Sequence, residues 1–313
     1  MFQLSIPAEP HQIPLGRNAN SRVTFMPFPN INCLQIFALV TCLFLVGLPA
    51  SARMAYPQVA AVRVAGAHLD VALSDGRHLT GRDLIGAELT IGYAGDHEAQ
   101  VKINGAEHDP EDPRGERWLY HLLLKYRKTG HWQEFCDLGP KGRRLGFPVE
   151  GRITADGAYE PADGQISFTC TGGALAKCIR MGYLPWAKNA AGGAMLDHFR
   201  ACLRMVRADY CGDGRPHTRD GTLINIYDRI GVQKRDPFPE LVFEAAWGPD
   251  GAVCVRKTRI DAHWTLDDLR ATCPRRIAGR IGPACSQSAA SSLPNALIFN
   301  DSRDTRGAKG VAQ

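Results

Sequence analysis

Eight cysteines between positions 136 and 285 constrain this chain more than any other feature: Cys136, Cys170, Cys178, Cys202, Cys211, Cys254, Cys273 and Cys285. What they can become depends on where the chain folds. In an oxidising compartment they pair, and in a reducing one they stay as thiols or bind metal. Size does not explain them. A chain of 313 residues with 44% hydrophobic and 22% charged side chains can bury a core without covalent staples. The same composition excludes a wholly disordered chain, a collagen-like chain and a multi-span membrane protein.

The compartment is suggested by the N-terminal region. Residues 36–48, IFALVTCLFLVGL, form a run of 13 without charge. Pro49 follows, and then Ala50, Ser51, Ala52 and Arg53. A short apolar run ahead of an A-x-A step reads as a secretory signal peptide over 1–52, cleaved after Ala52. A spanning helix needs about 20 apolar residues, and Asn30, Asn32 and Gln35 interrupt the run upstream. The alternative is an uncleaved N-terminal anchor, which would be the chain's only membrane contact. Met26 competes with Met1 as the start. Cleavage removes Cys33, Cys42, Arg17, Arg22 and Glu9, which takes the formal net charge from +5 to +4 and leaves 261 residues. Lys and Arg are scattered, so no electrostatic case for nucleic acid arises. The expected location is periplasmic or secreted.

An even set of eight cysteines in that setting reads as four disulfides, each able to add about 2–4 kcal/mol. Local loop closure favours Cys170–Cys178 and Cys202–Cys211. Zinc is the rival. His198 and Cys202 stand four apart, as on one helix face, but no C-x-x-C occurs and the close pairs are C-x7-C and C-x8-C. No metal and no cofactor is expected.

The rest reads as α+β and β-dominated: strands and hairpins with one main helix at about 194–210, disulfide-stapled. Residues 53–114 form an N-terminal β-rich part, with turns at Ser74-Asp75-Gly76 and Asn104-Gly105. The polar stretch 106–116 reads as an exposed loop and module boundary. Alternation of Trp118, Tyr120, Leu122 and Leu124 makes 118–127 a strand. A disulfide-rich domain occupies 115–285 and a disordered tail 286–313. In the main helix Leu196, Phe199, Leu203, Val206 and Tyr210 fall on one apolar stripe. Asp197, Arg200, Arg204 and Arg207 fall opposite, and Gly212 serves as the left-handed cap. A short helix follows Thr265, with Asp268 completing a capping box.

The densest polar cluster lies around that helix: His198, Asp209, Asp213, His217, Thr218 and Asp220. A hydrolase would use His198 or His217 as general base with Asp209 or Asp213 orienting it. The competing reading is structural: Asp-Gly turns at 213 and 220, Asp209 in an ion pair with Arg207 or capping loop amides, and Cys211 in a disulfide. No nucleophile elbow, phosphate loop or zinc-protease motif occurs. Trp118, Trp132, Trp186, Trp247 and Trp264 fit core packing or the lining of a sugar or peptide groove.

Three blocks in order carry a family resemblance. They are CTGGALAKCIRMGYLPW at 170–186, HFRACLRMVRADYCGDGRPHTRDGTLINIYD at 198–228, and FEAAWGPDGAVC at 243–254. Over about 115–275 the chain resembles the bacterial ADYC-domain family, named for the four residues at 208–211. The resemblance implies an exported bacterial protein and brings no activity with it. The expectation is therefore a non-enzymatic binding or structural module of the cell envelope or medium. Its partner would be a protein or small ligand there, and the extracytoplasmic hydrolase is the alternative.

Overall fold

The computed structural model describes residues 2–4, 23–24 and 57–303, apart from 94–96, 127–129, 155, 220 and 261–263. The expected signal peptide over 1–52 lies outside the described residues except at 2–4 and 23–24, and its expected cleavage point at Ala52 and the expected turn residue Asp220 lie outside them.

Strands dominate, as the alternating patterns require: 36% strand against 17% helix. Residues 59–80 form a three-stranded antiparallel sheet, β1 (Val59–Ala65), β2 (His68–Leu73) and β3 (His78–Thr80). A larger antiparallel sheet follows, built from β4 (Glu88–Tyr93), β5 (His97–His108), β6 (Trp118–Tyr126), β7 (Gly146–Glu150) and β8 (Ile166–Cys170), in the order β8-β7-β6-β5-β4. Val23–Thr24 pairs with β4 at its edge. The first core lies between these sheets, and β2 contributes Leu69 and Val71 while β6 contributes Tyr120, Leu122 and Leu124. Alternation in β6 is therefore real. Its neighbour Leu119 points the other way, into the second core.

Two readings of this region change. Asn104-Gly105 is not a turn. The register slips between Ile103 and Gly105, so the pair makes a bulge inside the long strand β5. The stretch 106–116 is not an exposed loop throughout, since its first residues belong to β5. It closes the β5–β6 hairpin, and Asp109 within it is buried against Arg117 and Arg180. Asn-Gly and Asp-Pro steps signal a bend without saying whether the chain leaves the sheet.

The second core is organised by two helices, α1 (Ala174–Arg180) and α2 (Leu196–Arg207). The longer one, α2, covers one face of a second antiparallel sheet, formed by β9 (Thr222–Asp228), β10 (Leu241–Gly248), β11 (Gly251–Val255) and β12 (Ile298–Arg303) in the order β9-β12-β10-β11, and α1 packs against α2. Phe2–Leu4 pairs with β9 at the outer edge. The helix α3 (Leu266–Thr272) begins at Thr265, whose capping box with Asp268 is formed as expected. The other face of this sheet carries Tyr227, Phe243 and Phe299 and is covered by α4 (Gln287–Ser291).

The expected tail at 286–313 is overturned over its first part. Residues 287–291 are helical, and β12 is an interior strand whose Ile298, Phe299, Asn300, Asp301 and Ser302 are all buried. Its polar residues suggested a solvated tail. Instead each is paired inside: Asn300 accepts from the Trp247 indole at 2.8 Å, Ser302 from Lys257 at 2.8 Å, and Asp301 from Arg235 at 2.8 Å. Residues 304–313 lie outside the described residues.

The four bridges are Cys136–Cys170, Cys178–Cys202, Cys211–Cys273 and Cys254–Cys285, with Cα separations of 5.5–5.8 Å. All eight cysteines pair, but neither local pairing forms. Cys178 lies on α1 facing Cys202 in the middle of α2, so this bridge locks the two helices together. Cys202 cannot also reach Cys211, which lies beyond the C-terminus of a helix that rises 1.5 Å per residue. Cys170 ends β8 and meets Cys136 instead. Gly146 is required there, because a Cβ at that position would stand 2.7 Å from the Thr169 carbonyl oxygen and 3.1 Å from the Cys136 sulfur. Packing, not loop length, brings two Cα atoms to bridging distance.

Candidate functional site

The sequence singles out the corner that follows α2. The helix ends earlier than its Gly212 cap predicts, at Ala208, which takes the left-handed conformation with φ 51°. Ala208 is wholly buried, and its amide donates to the Met205 carbonyl at 3.0 Å. The chain then reverses through Asp209, whose side chain is wholly buried. Its carboxylate accepts from the backbone amides of Gly212 at 2.8 Å, Asp213 at 3.1 Å and Gly214 at 2.9 Å. It also accepts from the Arg204 guanidinium at 2.6 Å. Four donors fill a carboxylate's capacity. Asp209 therefore folds the loop on which Asp213 and His217 stand.

Arg204 and Arg207 fall on the side of α2 opposite its apolar stripe, yet that side is not open to solvent. Both are buried, because α2 is enclosed on nearly all sides rather than lying on a surface. Arg204 bridges Asp209 and Asp156, the latter at 2.9 Å. Burial works against its charge, but the two carboxylates outweigh it and raise its pKa. Arg207 donates to the Gly214 carbonyl. The partner of Asp209 is thus Arg204, not Arg207.

Tyr210 sits one step further in. Its hydroxyl donates to Glu244 at 3.0 Å and accepts from the Arg259 amide at 2.7 Å. Burial, with the Glu244 carboxylate beside it, holds the phenol well above its ordinary pKa. Glu244 is the extra residue of a bulge in β10, between Phe243 and Ala245, and the bulge turns its side chain inward. Arg259, fully buried, grips both Glu244 oxygens at 3.0 and 3.1 Å. The same guanidinium donates to the Met205 and Val206 carbonyls at 2.8 and 3.1 Å, satisfying the open end of α2. Burial would raise the Glu244 pKa, yet Arg259, Lys257 and Ser302 together hold it below the usual carboxylate value. Glu244 and Arg259 escaped the sequence reading. The available signal was a lone acid inside the apolar run LVFEAAW.

The four proposed acid–base residues are close in sequence, but the described residues show no base–acid hydrogen bond among them. Nδ1 of His198 and Nε2 of His217 are buried and have no hydrogen-bond partner among the described residues. Asp213 accepts from the Arg215 amide and pairs with its guanidinium at 3.4 Å. The His217 ring stands edge-on to Trp264 and lies nearly parallel to the Tyr210 ring, with centroids 6.2 Å apart. Burial lowers the pKa of His198, against the opposing pull of Asp228 and Asp197. No cluster of three or more His, Cys, Asp or Glu able to hold a metal occurs among the described residues. Nor is any described helix long and apolar enough to cross a membrane.

His217 makes this corner pH-sensitive. Burial pushes its imidazole down to about 4, whereas in the unfolded chain it titrates near 6.5. Between those values the unfolded chain binds a proton that the folded chain refuses, so stability falls as pH drops from about 6.5 toward 4. Urea unfolding at pH 7 and pH 5 should show this loss, and His217→Gln should show less of it. An NMR titration of His217 with a midpoint near 6.5 would contradict the assignment.

The ADYC-domain family model matches residues 81–261. The match begins earlier than the expected 115 and stops before 275, so it takes in the single 3-10 turn Gly81–Leu84 ahead of β4 and ends at Asp261, just past Arg259. No curated protein and no solved structure matches the chain.

Proposed function

This chain belongs to the ADYC-domain family, and on that premise we propose that it works outside the cytoplasm as a disulfide-stabilised, non-enzymatic binding or structural module. The observation that carries the reading is the burial of the family's own tetrad. Ala208, Asp209 and Tyr210 are each 0% exposed, and Cys211 is bonded to Cys273. Each has a task inside the fold: a left-handed helix end, a loop cap, a hydrogen-bonded anchor and a staple. A catalytic signature instead needs groups open to substrate and free to change protonation. Asp209 has no lone pair to spare, and Tyr210 is held protonated by its surroundings. The signature thus marks how the domain is built, and any ligand contact falls to surface positions.

Two observations support the export part of this proposal: the apolar run at 36–48 and the four bridges, which persist in oxidising compartments. The test is to express the full chain in a bacterial host and recover it from periplasm and medium. The expected product begins at Arg53 and gives no alkylated cysteine before reduction and eight after. A cytoplasmic product that keeps residues 1–52 and carries six or more free thiols would overturn the proposal. So would an ester- or peptide-hydrolysing activity that vanishes in a well-folded His217→Ala variant.

A further inference from the structure

Trp186 is 43% exposed, although an indole is among the costliest side chains to leave in water. It stands where three elements meet: the β1–β2 turn, the β5–β6 hairpin loop and the segment that follows α1. Together they form a cleft of about 350 Å³, within the range of small-ligand sites. The turn is Ala65-Gly66-Ala67, with Gly66 at φ 63°. The indole edge lies against this glycine, since a Cβ there would stand 3.7 Å from the indole nitrogen. Small residues on that side fix the ring's place without covering it.

Around the indole the polar groups sort into committed and free. Asp112 is committed: its carboxylate accepts from the amides of Arg114, Glu116 and Arg117. Arg117 is committed to Asp109 at 2.6 Å. Arg114 and Glu116 are exposed and hold each other loosely at 3.4 Å. His68 lines the cleft, and its Nδ1, closed off from solvent, has no hydrogen-bond partner among the described residues. The cleft lining therefore offers a flat apolar ring, one loosely held guanidinium–carboxylate pair and an imidazole edge. Their charges cancel, so an anion would meet Glu116 and a cation would meet Arg114. A ligand with an apolar face and a rim of neutral hydroxyls satisfies all four.

We propose that this cleft binds a neutral saccharide, with Trp186 as the stacking surface and Arg114, Glu116 and His68 as hydroxyl partners. The assignment rests on the binding-module reading and gives it a ligand class. A pyranose presents C–H groups to the indole face and hydroxyls to paired donors and acceptors at its edge. Exposed acid and guanidinium groups suit hydroxyls because one accepts and the other donates.

The test uses the oxidised full chain in calorimetric titrations against four neutral tetrasaccharides: β-1,4-linked N-acetylglucosamine, β-1,4-linked glucose, α-1,4-linked glucose and α-1,6-linked mannose. A capped tetraproline peptide is the competing probe. Saturable binding of at least one saccharide is expected. Trp186→Ala should weaken it at least 10-fold with an unchanged circular dichroism spectrum, Trp186→Phe less, and Glu116→Gln several-fold. No binding to any of the four, binding untouched by Trp186→Ala, or binding of tetraproline instead would overturn the cleft assignment and leave the module reading standing. Cleavage of a bound saccharide would do the reverse.

Discussion

Arg259→Ala is expected to cost about 3–5 kcal/mol of folding stability, the range for removing one member of a buried ion pair. Both Arg259 and Glu244 are 0% exposed as side chains. Alanine leaves the Glu244 carboxylate in the core without its main counter-charge. It also frees the Met205 and Val206 carbonyls that the guanidinium satisfies. For a domain of this size that is a fall in melting temperature of roughly 6–20 °C. The comparison that identifies the cause is a double replacement. Glu244→Leu with Arg259→Met removes both charges, and its loss should be smaller than that of Arg259→Ala alone. It should not vanish, because Tyr210 loses its acceptor and the end of α2 stays uncapped. Arg259→Lys should fall between parent and alanine, since an ammonium keeps the charge but cannot hold both carboxylate oxygens and two carbonyls together. An Arg259→Ala protein within about 0.5 kcal/mol of the parent, the scatter of ordinary surface changes, would remove this network from the account of stability.

The same network shows what a sequence can and cannot disclose here. The strands of the first core were legible because period-two alternation in β2 and β6 matches burial on one face. The helix α2 was legible from its apolar stripe, and the Thr265 cap from a local hydrogen bond three residues long. What failed shares a different property. Arg204, Arg207, Glu244, Arg259 and Asp301 are charged residues whose burial depends on partners 5 to 76 residues away. Periodicity treats charge as a mark of solvent, so it placed two arginines opposite the apolar stripe and dissolved β12 into a tail. The cysteine pairing failed for the same reason. Sequence proximity measures the entropy of closing a loop, but the partner is chosen by which elements pack. The apolar run at 36–48 lies outside the described residues, so its reading as a targeting signal rests on the sequence pattern alone and belongs to the proposal of export.

Cys211–Cys273 is expected to be the most stabilising bridge and the first to open under mild reduction. Its sequence separation of 62 is nearly twice that of Cys136–Cys170 at 34, while Cys254–Cys285 spans 31 and Cys178–Cys202 spans 24. Chain entropy restricted in the unfolded state grows with the logarithm of that span, giving about 4 kcal/mol for the longest loop and about 3.5 for the shortest. The gap between bridges is small, but only this one closes on the corner where Asp209 and Tyr210 are anchored. The paired variant Cys211→Ala with Cys273→Ala should therefore lose about 4 kcal/mol in urea unfolding, and the Cys178–Cys202 pair somewhat less. Access runs the other way. Cys178 and Cys202 are both 0% exposed, whereas Cys211 and Cys273 are only partly buried. Thiolate attack needs a path to sulfur, so brief dithiothreitol treatment of the folded protein, followed by alkylation and peptide mass analysis, should label Cys211 and Cys273 first and Cys178 and Cys202 last. If Cys178 and Cys202 are labelled first, α1 and α2 separate more readily than their shared core allows. If the paired Cys211 and Cys273 variant loses less than about 1 kcal/mol, the corner is held by Asp209, Tyr210 and Arg259 without need of its staple.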